Sequence, residues 1–192
     1  MKNIMAVDVG FGRVKALSAE RQLEFPSVVG PWREIRFNNE VAGSSFLEQL
    51  AVDYAGQKLF LGEMAYRQSK ARMNMSMERF CGVEGMALML AAVAMLGTGR
   101  EITCHLVTGL PVNAYAAQKE KYKQALLGRH YIKLLGANGT PDERYISFEK
   151  VRQIYPSPRV VNDISLRYNF FVCRSQRPEN RPEENMNGVH AL

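Results

Sequence analysis

Four residues near the start of the chain have types and a spacing suited to binding a phosphate. In the stretch "MAVDVGFGRVKAL", Asp8 ends an apolar run, Gly10 and Gly12 follow it, and Lys15 comes seven positions after the acid. A carboxylate in a buried strand is costly unless it is paired, hydrogen-bonded or placed on a cation. The glycines allow a tight turn whose amide N–H groups can point at an anion, and Lys15 adds a positive charge. These residues therefore predict a site for a nucleotide phosphate, with a hydrated Mg²⁺ near Asp8.

A structural role explains the same residues, and the motif alone does not exclude it. Asp8 could hydrogen-bond to the backbone of its own loop in an Asx turn, which would leave Lys15 exposed to solvent. The pattern D-x-G-x-G-x-x-K is too short to decide between the two interpretations. The strands and helices predicted around the motif are needed to choose between these two interpretations.

The first half of the chain is predicted to form strands, an insertion and a helix. Apolar and alternating patterns predict strands at 3–9, 13–18 and 22–28, with the glycine turn between the first two. The region 30–62 is punctuated by Gly-Pro, Asn-Asn and Gly-Ser-Ser and is predicted to be a small inserted lobe. A helical pattern begins at Glu84, and 86–96 is apolar on every side, which predicts a buried helix over 84–96.

The second half continues the alternation of strands and helices. We expect a core strand at 101–108 and then a helix over about 114–127, whose inner face carries Tyr115, Tyr122 and Leu126. Two further extended segments are expected around 131–135 and 145–154. This order of elements predicts an α/β fold with a mixed sheet and flanking helices.

Composition narrows the classes of protein that remain. The chain has 192 residues and is 46% hydrophobic, which suffices for one good core. Its net charge of +6 is scattered, so nucleic acid is permitted but not indicated, and the lysines at 119, 121 and 123 are interpreted as a solvated helix face. The longest apolar run, 86–96, is well short of the ~20 residues needed to cross a bilayer. We expect a cytoplasmic protein without membrane contact.

The histidines and cysteines do not predict a second site. His105, His130 and His190 lack the spacing of metal ligands, and the three cysteines contain no C-x-x-C pair. Cys104 and His105 are neighbours on one predicted strand, so their side chains point to opposite faces and cannot act as nucleophile and base. Free thiols and structural or exposed histidines are expected.

Four segments of the chain resemble the actin-like ATPases, and in particular the ParM/StbA-type plasmid segregation proteins. They are "DVGFGRVKA", "FLGEMAYRQ", "VTGLPVNAYAAQKEKYKQAL" and "ISFEKVRQIYPSP". Their order and spacing agree with the family over roughly residues 3–158. The resemblance implies a ribonuclease-H-like, actin-like N-terminal domain over 1–158, with the inserted lobe at about 30–62.

The resemblance also implies the chemistry of the glycine turn. The family binds ATP and Mg²⁺ in a cleft between two similar domains, with water as the attacking group. By position, Asp8 would approach the metal through water, the backbone amides of Gly10, Phe11 and Gly12 would contact the phosphates, and Lys15 would contact a phosphate oxygen. Where the family has its catalytic polar residue, this sequence has Ser157. Serine is too short to replace a glutamine or glutamate. Whether this chain is an enzyme therefore stays open.

Beyond residue 158 the resemblance ends. We expect the second actin-like domain to be absent from this chain, and 159–192 is predicted to be a segment unrelated to the family, disordered from about 174. The first functional hypothesis is the phosphate-binding N-terminal half of an ATPase whose filaments segregate plasmid DNA. A non-hydrolysing module that caps or joins filaments is the alternative, and a basic nucleic-acid-binding protein ranks below both. The partners expected are further copies of the chain and an adaptor that binds the centromere, without direct DNA contact.

The segment "LRYNFFVC" is predicted to control self-association. Its side chains could cover the surface that the second domain buries in the family, or could pair with a neighbouring molecule; they are Tyr168, Phe170, Phe171 and Val172. Each phenylalanine contributes roughly 1.5–3 kcal/mol if fully buried. We expect sedimentation velocity and thermal melting to differ between the intact chain and a chain that ends at Pro158. Identical behaviour of the two chains would contradict any role for this segment.

Overall fold

The computed structural model of the protein describes residues 3–34, 46–69, 71, 74–135 and 141–154. The predictions made for Ser157 and for the segment 159–192 lie outside the described residues. So do those for Cys173 and His190.

The described residues form nine strands, three α-helices and two short 3₁₀ helices. The strands are β1 (Ile4–Val9), β2 (Arg13–Leu17), β3 (Gln22–Pro26), β4 (Val29–Pro31), β5 (Ala51–Tyr54), β6 (Gln57–Leu61), β7 (Glu101–Gly109), β8 (Gly128–Leu135) and β9 (Pro141–Ile154). The α-helices are α1 (Gly62–Gln68), α2 (Val83–Leu96) and α3 (Val112–Leu126). The 3₁₀ helices are Phe46–Gln49 and Met77–Cys81.

All nine strands belong to one mixed sheet, in the order β3-β2-β1-β7-β9-β8-β5-β6-β4. β1 pairs with β7 in parallel and β7 pairs with β9 in parallel, while the other neighbours are antiparallel. The predicted mixed α/β sheet is confirmed. The strands predicted at 3–9, 13–18, 22–28 and 101–108 share it.

The alternation of side chains explains why the first hairpin lies on the core. In β2, Val14 and Ala16 are buried while Arg13 and Lys15 are exposed, which is the pattern of a strand with one solvated face. β1 is apolar on both sides except at Asp8. A single acidic residue is therefore placed in the most apolar strand of the hairpin.

Helix α2 is the centre of the core. Its side chains are buried on all sides, and it packs against β1, β2, β5, β8 and β9. Such a helix needs an apolar sequence all round, which is what the sequence predicted. It ends at Leu96, and a Cβ atom on the following Gly97 would lie 2.6 Å from the Ile102 side chain, so a larger residue there would require Ile102 to shift.

Three elements begin two to four residues earlier than predicted. Helix α3 begins at Val112, directly after Pro111, and proline is well suited to the start of a helix. Strand β8 begins at Gly128, whose φ of +103° lets the chain turn from the helix straight into the strand. Strand β9 begins at Pro141 and pairs along its first half with β8.

The described part of 30–62 is joined to the same sheet. Strands β4 and β5 both pair with β6, and β5 also pairs with β8. Helix α1 packs beside them, against β4 and β6. The assignment of this region as a separate lobe, and of 1–158 as one domain, stays a prediction. In the part of the chain that the structure describes, no helix has the length and apolar character needed to cross a membrane.

The burial of α2 predicts that truncating one of its central side chains strongly lowers stability. Leu90 is fully buried in the middle of this helix, so Leu90→Ala should lower the free energy of unfolding by about 2–5 kcal/mol in urea denaturation, because it leaves a cavity. Gln124→Ala, on the exposed side of α3, should change it by less than about 0.5 kcal/mol. Equal effects of the two substitutions would contradict this description of the core.

Candidate functional site

The candidate site lies where the parallel strands of the sheet end. β1 and β7 run side by side with Val7 opposite Thr108, so that Asp8 is level with Gly109. β7 in turn ends beside β9, with Gly109 opposite Ile154. In open α/β sheets ligands bind outside the carboxyl ends of such strands. Asp8 therefore occupies the edge of the sheet where a ligand site is expected.

The turn between β1 and β2 is tight, and it presents two backbone amides. The N–H of Gly10 donates a hydrogen bond to the carbonyl oxygen of Arg13 at 3.0 Å, which closes the turn. A Cβ atom on Gly10 would lie only 3.0 Å from the same oxygen, whereas one on Gly12 would meet no atom within 4 Å. Among the described residues, the N–H groups of Phe11 and Gly12 have no hydrogen-bond acceptor. These two amides are therefore available to an anion, while that of Gly10 shapes the turn.

Asp8 and Lys15 lie directly opposite each other on the paired strands. Burial raises the pKa of the Asp8 carboxyl above its ordinary value of 3.8, and the positive charge of Lys15 opposes this shift. Within the described ranges, the Asp8 carboxylate has no hydrogen bond and no ion pair within 4 Å. The hydrogen bonds expected of an Asx turn are thus not found there.

The chemistry of these groups fits a metal-bound phosphate. An unpaired carboxylate in a partly buried position is stabilised by a cation, and oxygen ligands are those that Mg²⁺ prefers, often through its own water molecules. Two open amides on the turn and a lysine on the adjoining strand β2 match the negative oxygens of a phosphate. The structure therefore brings together the residues that the sequence singled out, apart from Ser157.

Aromatic rings anchor the tip of the turn to the core. The ring of Phe11 packs edge to face against Phe80 with a centroid distance of 5.7 Å, and Phe80 packs against Tyr122 of α3 at 6.4 Å. Burial raises the pKa of the Tyr122 phenol, and the negative charge of Asp8 acts in the same direction. Tyr122 therefore stays neutral beneath the site. Phe11 contributes its side chain as an anchor as well as its amide.

Two residues that the sequence analysis missed lie behind the turn. Arg79 is only 4% exposed and donates a hydrogen bond to the Ser27 side chain. The N–H of Ser27 donates to the carbonyl oxygen of Gly12 at 2.9 Å. The available signal was an arginine in the otherwise apolar stretch "RFCGV", which leads directly into the buried helix α2.

The remaining candidates have structural environments. His105 faces Glu149 at 3.4 Å, and the His130 ring contacts the carbonyl oxygen of Leu126 at 2.7 Å. Burial raises the pKa of the Cys104 thiol to about 12, so the thiol is protonated and unreactive at neutral pH. In the part of the chain that the structure describes, no group of three or more acidic, histidine or cysteine side chains could hold a metal ion. With the side chains that the structure describes, a metal at Asp8 would therefore need water or phosphate oxygens among its ligands.

Solved structures with the same fold include ParM proteins. A 15-stranded ParM filament from Clostridium botulinum is similar with a TM-score of 0.66 and 21% identity, over 80% of this chain and 47% of that chain. A non-polymerisable quadruple mutant of pCBH ParM is similar with a TM-score of 0.64 and 20% identity, over 82% and 48%. Bacillus thuringiensis ParM with AMPPNP is similar with a TM-score of 0.58 and 16% identity, over 79% and 44%.

These similarities establish the actin-like fold. The chain spans somewhat less than half the length of these three structures, between 44% and 48%. No curated protein matches it in sequence. The family model described as "Actin like proteins N terminal domain" matches residues 6–158, which is most of the chain. The chain therefore belongs to the family of actin-like protein N-terminal domains.

Proposed function

We propose that this chain is the nucleotide-phosphate-binding N-terminal half of a ParM-type, actin-like ATPase whose filaments segregate plasmid DNA. The observation that carries the proposal is the unpaired Asp8 carboxylate beside the open amides of Phe11 and Gly12, with Lys15 on the opposite strand. The similar Bacillus thuringiensis ParM, which was solved with AMPPNP, supports a nucleotide as the ligand.

Each residue of the turn has a distinct part in this proposal. The amides of Phe11 and Gly12 would donate hydrogen bonds to phosphate oxygens, and the Lys15 ammonium would neutralise part of their charge. Asp8 would accept hydrogen bonds from water molecules bound to Mg²⁺. Gly10 would act through its shape, since its own N–H bonds to Arg13. A bound Mg²⁺ supplies charge neutralisation of the phosphates, as in other phosphoryl-transfer sites.

Binding rather than hydrolysis is the activity that this chain's residues favour. Orienting the attacking water requires a side chain that reaches it. The Ser157 hydroxyl, at the position of the family's catalytic polar residue, is shorter than a glutamine or glutamate side chain. We therefore retain a non-hydrolysing filament module as the second candidate. On either reading the protein works in the cytoplasm.

The partners proposed follow from the filament relatives. The similar Clostridium botulinum ParM was solved as a filament, which supports self-association of this chain. An adaptor that binds the centromere would connect such filaments to plasmid DNA, so direct DNA contact is not required. Lys119 and Lys121 are exposed on α3, as expected of an ordinary solvated helix face.

Titration with Mg·ATP tests the site. In amide NMR spectra of the 192-residue chain, the signals of Phe11 and Gly12 should shift, with a dissociation constant in the millimolar range, about −4 kcal/mol. The affinity is low because one hairpin contacts the phosphates from one side only. Lys15→Ala and Asp8→Asn should abolish the shifts, while Lys58→Ala, on β6 at the other end of the sheet, should leave them unchanged. Micromolar affinity that survives Lys15→Ala would show that the nucleotide binds elsewhere.

The pH dependence of stability tests whether the ionised Asp8 carboxylate lowers the free energy of unfolding. Its raised pKa means that the folded state binds the proton more tightly than the unfolded state, so the ionised form lowers stability above that pKa. Asp8→Asn should therefore raise the free energy of unfolding at pH 7. This gain should shrink as the pH falls through the raised pKa and vanish below 3.8, where both side chains are neutral.

Urea denaturation at several pH values measures this difference. Glu120→Gln is the matched control, because Glu120 is exposed on α3, and its effect on stability should stay small at every pH. A lower stability of Asp8→Asn at pH 7, or a gain that does not change with pH, would show that the Asp8 carboxylate is already compensated in the free protein.

A further inference from the structure

We propose that Arg79 is a positioning residue that holds the tip of the β1–β2 turn, Phe11 and Gly12, in its anion-binding shape. The proposal rests on the function proposed above. Neither the motif in the turn nor the family match assigns a role to Arg79.

Arg79 is a permanently charged side chain in a buried position. It is 4% exposed, and burial lowers the pKa of its guanidinium, an effect that the Glu84 carboxylate opposes. Such a charge is costly unless its donors are used. Nη1 donates to the carbonyl oxygen of Asn74 at 2.6 Å, and Nη2 donates to Ser27 Oγ at 2.5 Å and to Ser27 O at 3.4 Å.

Ser27 connects the guanidinium to Gly12. It lies between β3 and β4, and it accepts from Arg79 through its hydroxyl while its own N–H donates to Gly12 O at 2.9 Å. The peptide plane between Gly12 and Arg13 is therefore fixed on the side away from the open amides. Without Arg79 holding Ser27, the carbonyl of Gly12 would lose a rigid donor.

The same guanidinium also lies beside Phe11. Its centre is 6.0 Å from the centroid of the Phe11 ring and 5.7 Å from that of Phe80, within the range of cation–π contacts. Arg79 thus reaches both residues whose amides are open, Gly12 through Ser27 and Phe11 through its ring. No other described basic side chain contacts the ring of Phe11.

Arg79 is itself held from the other side, so it can act as a support. A Cβ atom on Gly85 would lie 2.3 Å from the carbonyl oxygen of Arg79, which shows how closely helix α2 packs on it. Asn74, which accepts from Nη1, is held in turn by a hydrogen bond from its amide to Glu84 Oε2 at 2.8 Å. The clamp, meaning Arg79 with Ser27 and Asn74, therefore joins the turn to the start of α2.

The charge of Arg79 is only partly compensated within the described residues. Its Nε has no hydrogen-bond partner there, and Glu84 makes no ion pair with it within 4 Å. A positive charge of this kind in a low-dielectric position favours an anion on the neighbouring amides. Arg79 would thus support phosphate binding by both shape and charge, without touching the phosphate.

Hydrogen exchange of the 192-residue chain without ligand tests the clamp directly. Arg79→Met keeps the length of the side chain but removes all donors, so exchange of the Ser27 amide should become about tenfold faster or more. The amide of His105, which bonds to Asn3 O at 2.8 Å, should be unaffected. Arg67→Met is the matched control, because Arg67 is an exposed arginine of α1 that pairs with Glu48 at 3.8 Å. It should change the exchange of neither amide. Unchanged exchange at Ser27 in Arg79→Met would overturn the proposal.

Two further variants keep the test decisive. Ser27→Ala removes only the hydroxyl that accepts from Nη2, and it should speed exchange of the residue-27 amide in the same direction; if Arg79→Met does not fold, this variant decides. Arg79→Lys keeps a positive charge with a single donor group, and it should restore part of the protection that Arg79→Met loses. Loss of protection that is equal in Arg79→Lys and Arg79→Met would overturn the role of charge, because lysine keeps the charge and loses only the fork of donors.

Titration with Mg·ATP separates this proposal from the proposed function. If the wild-type chain shifts the Phe11 and Gly12 signals, Arg79→Met should weaken that response about tenfold, and Arg67→Met should not change it. Equal responses of wild type and Arg79→Met would overturn the positioning role and leave the site intact. No response of the wild type would overturn the proposed function, and the exchange measurement would still decide whether the clamp exists.

Discussion

The parallel pairing of β1 with β7 is the interaction on which the site depends. An isolated two-stranded hairpin is marginally stable in water, and the β1–β2 hairpin gains its support from β7 on one side and from α2 beneath it. The pairing joins residues about a hundred positions apart, such as Ala6 and Val107. It also sets the level of Asp8 at the end of the strands, where a carboxylate can meet a ligand instead of the core.

Local sequence patterns were sufficient to predict the helices and strands but not to predict which strands pair. The apolar run of α2 and the alternation in β2 follow directly from burial, so the sequence predicts both. The pairing of β5 with β8 does not follow, because β5 has four residues and no feature that selects its neighbour. Boundaries shifted where Pro111 and Gly128 change the backbone direction, since such residues act over one or two positions.

In the candidate site, too, contacts between residues close in sequence could be predicted and contacts between distant residues could not. Asp8, Gly12 and Lys15 are close in sequence, and a hairpin brings them together in a register that the glycine turn dictates. The engaged N–H of Gly10 could be seen only in three dimensions. Arg79 was missed because its acceptor, Ser27, lies 52 positions earlier, and nothing in either local sequence indicates the contact.

Two incompletely compensated charges of opposite sign, on Asp8 and Arg79, lie near the turn. Asp8 has a raised pKa and, among the described residues, no hydrogen bond or ion pair within 4 Å, and Arg79 is buried with its Nε donor unused. A protein selected for stability alone would replace both with apolar or paired groups. On the function proposed here, a metal-bound phosphate offsets both, because the cation lies near Asp8 and the anion lies on the amides in front of Arg79. Any ligand that binds the folded state in this way also stabilises it. The cost carried by the free protein is then part of what makes its turn selective for a phosphate that brings its own metal.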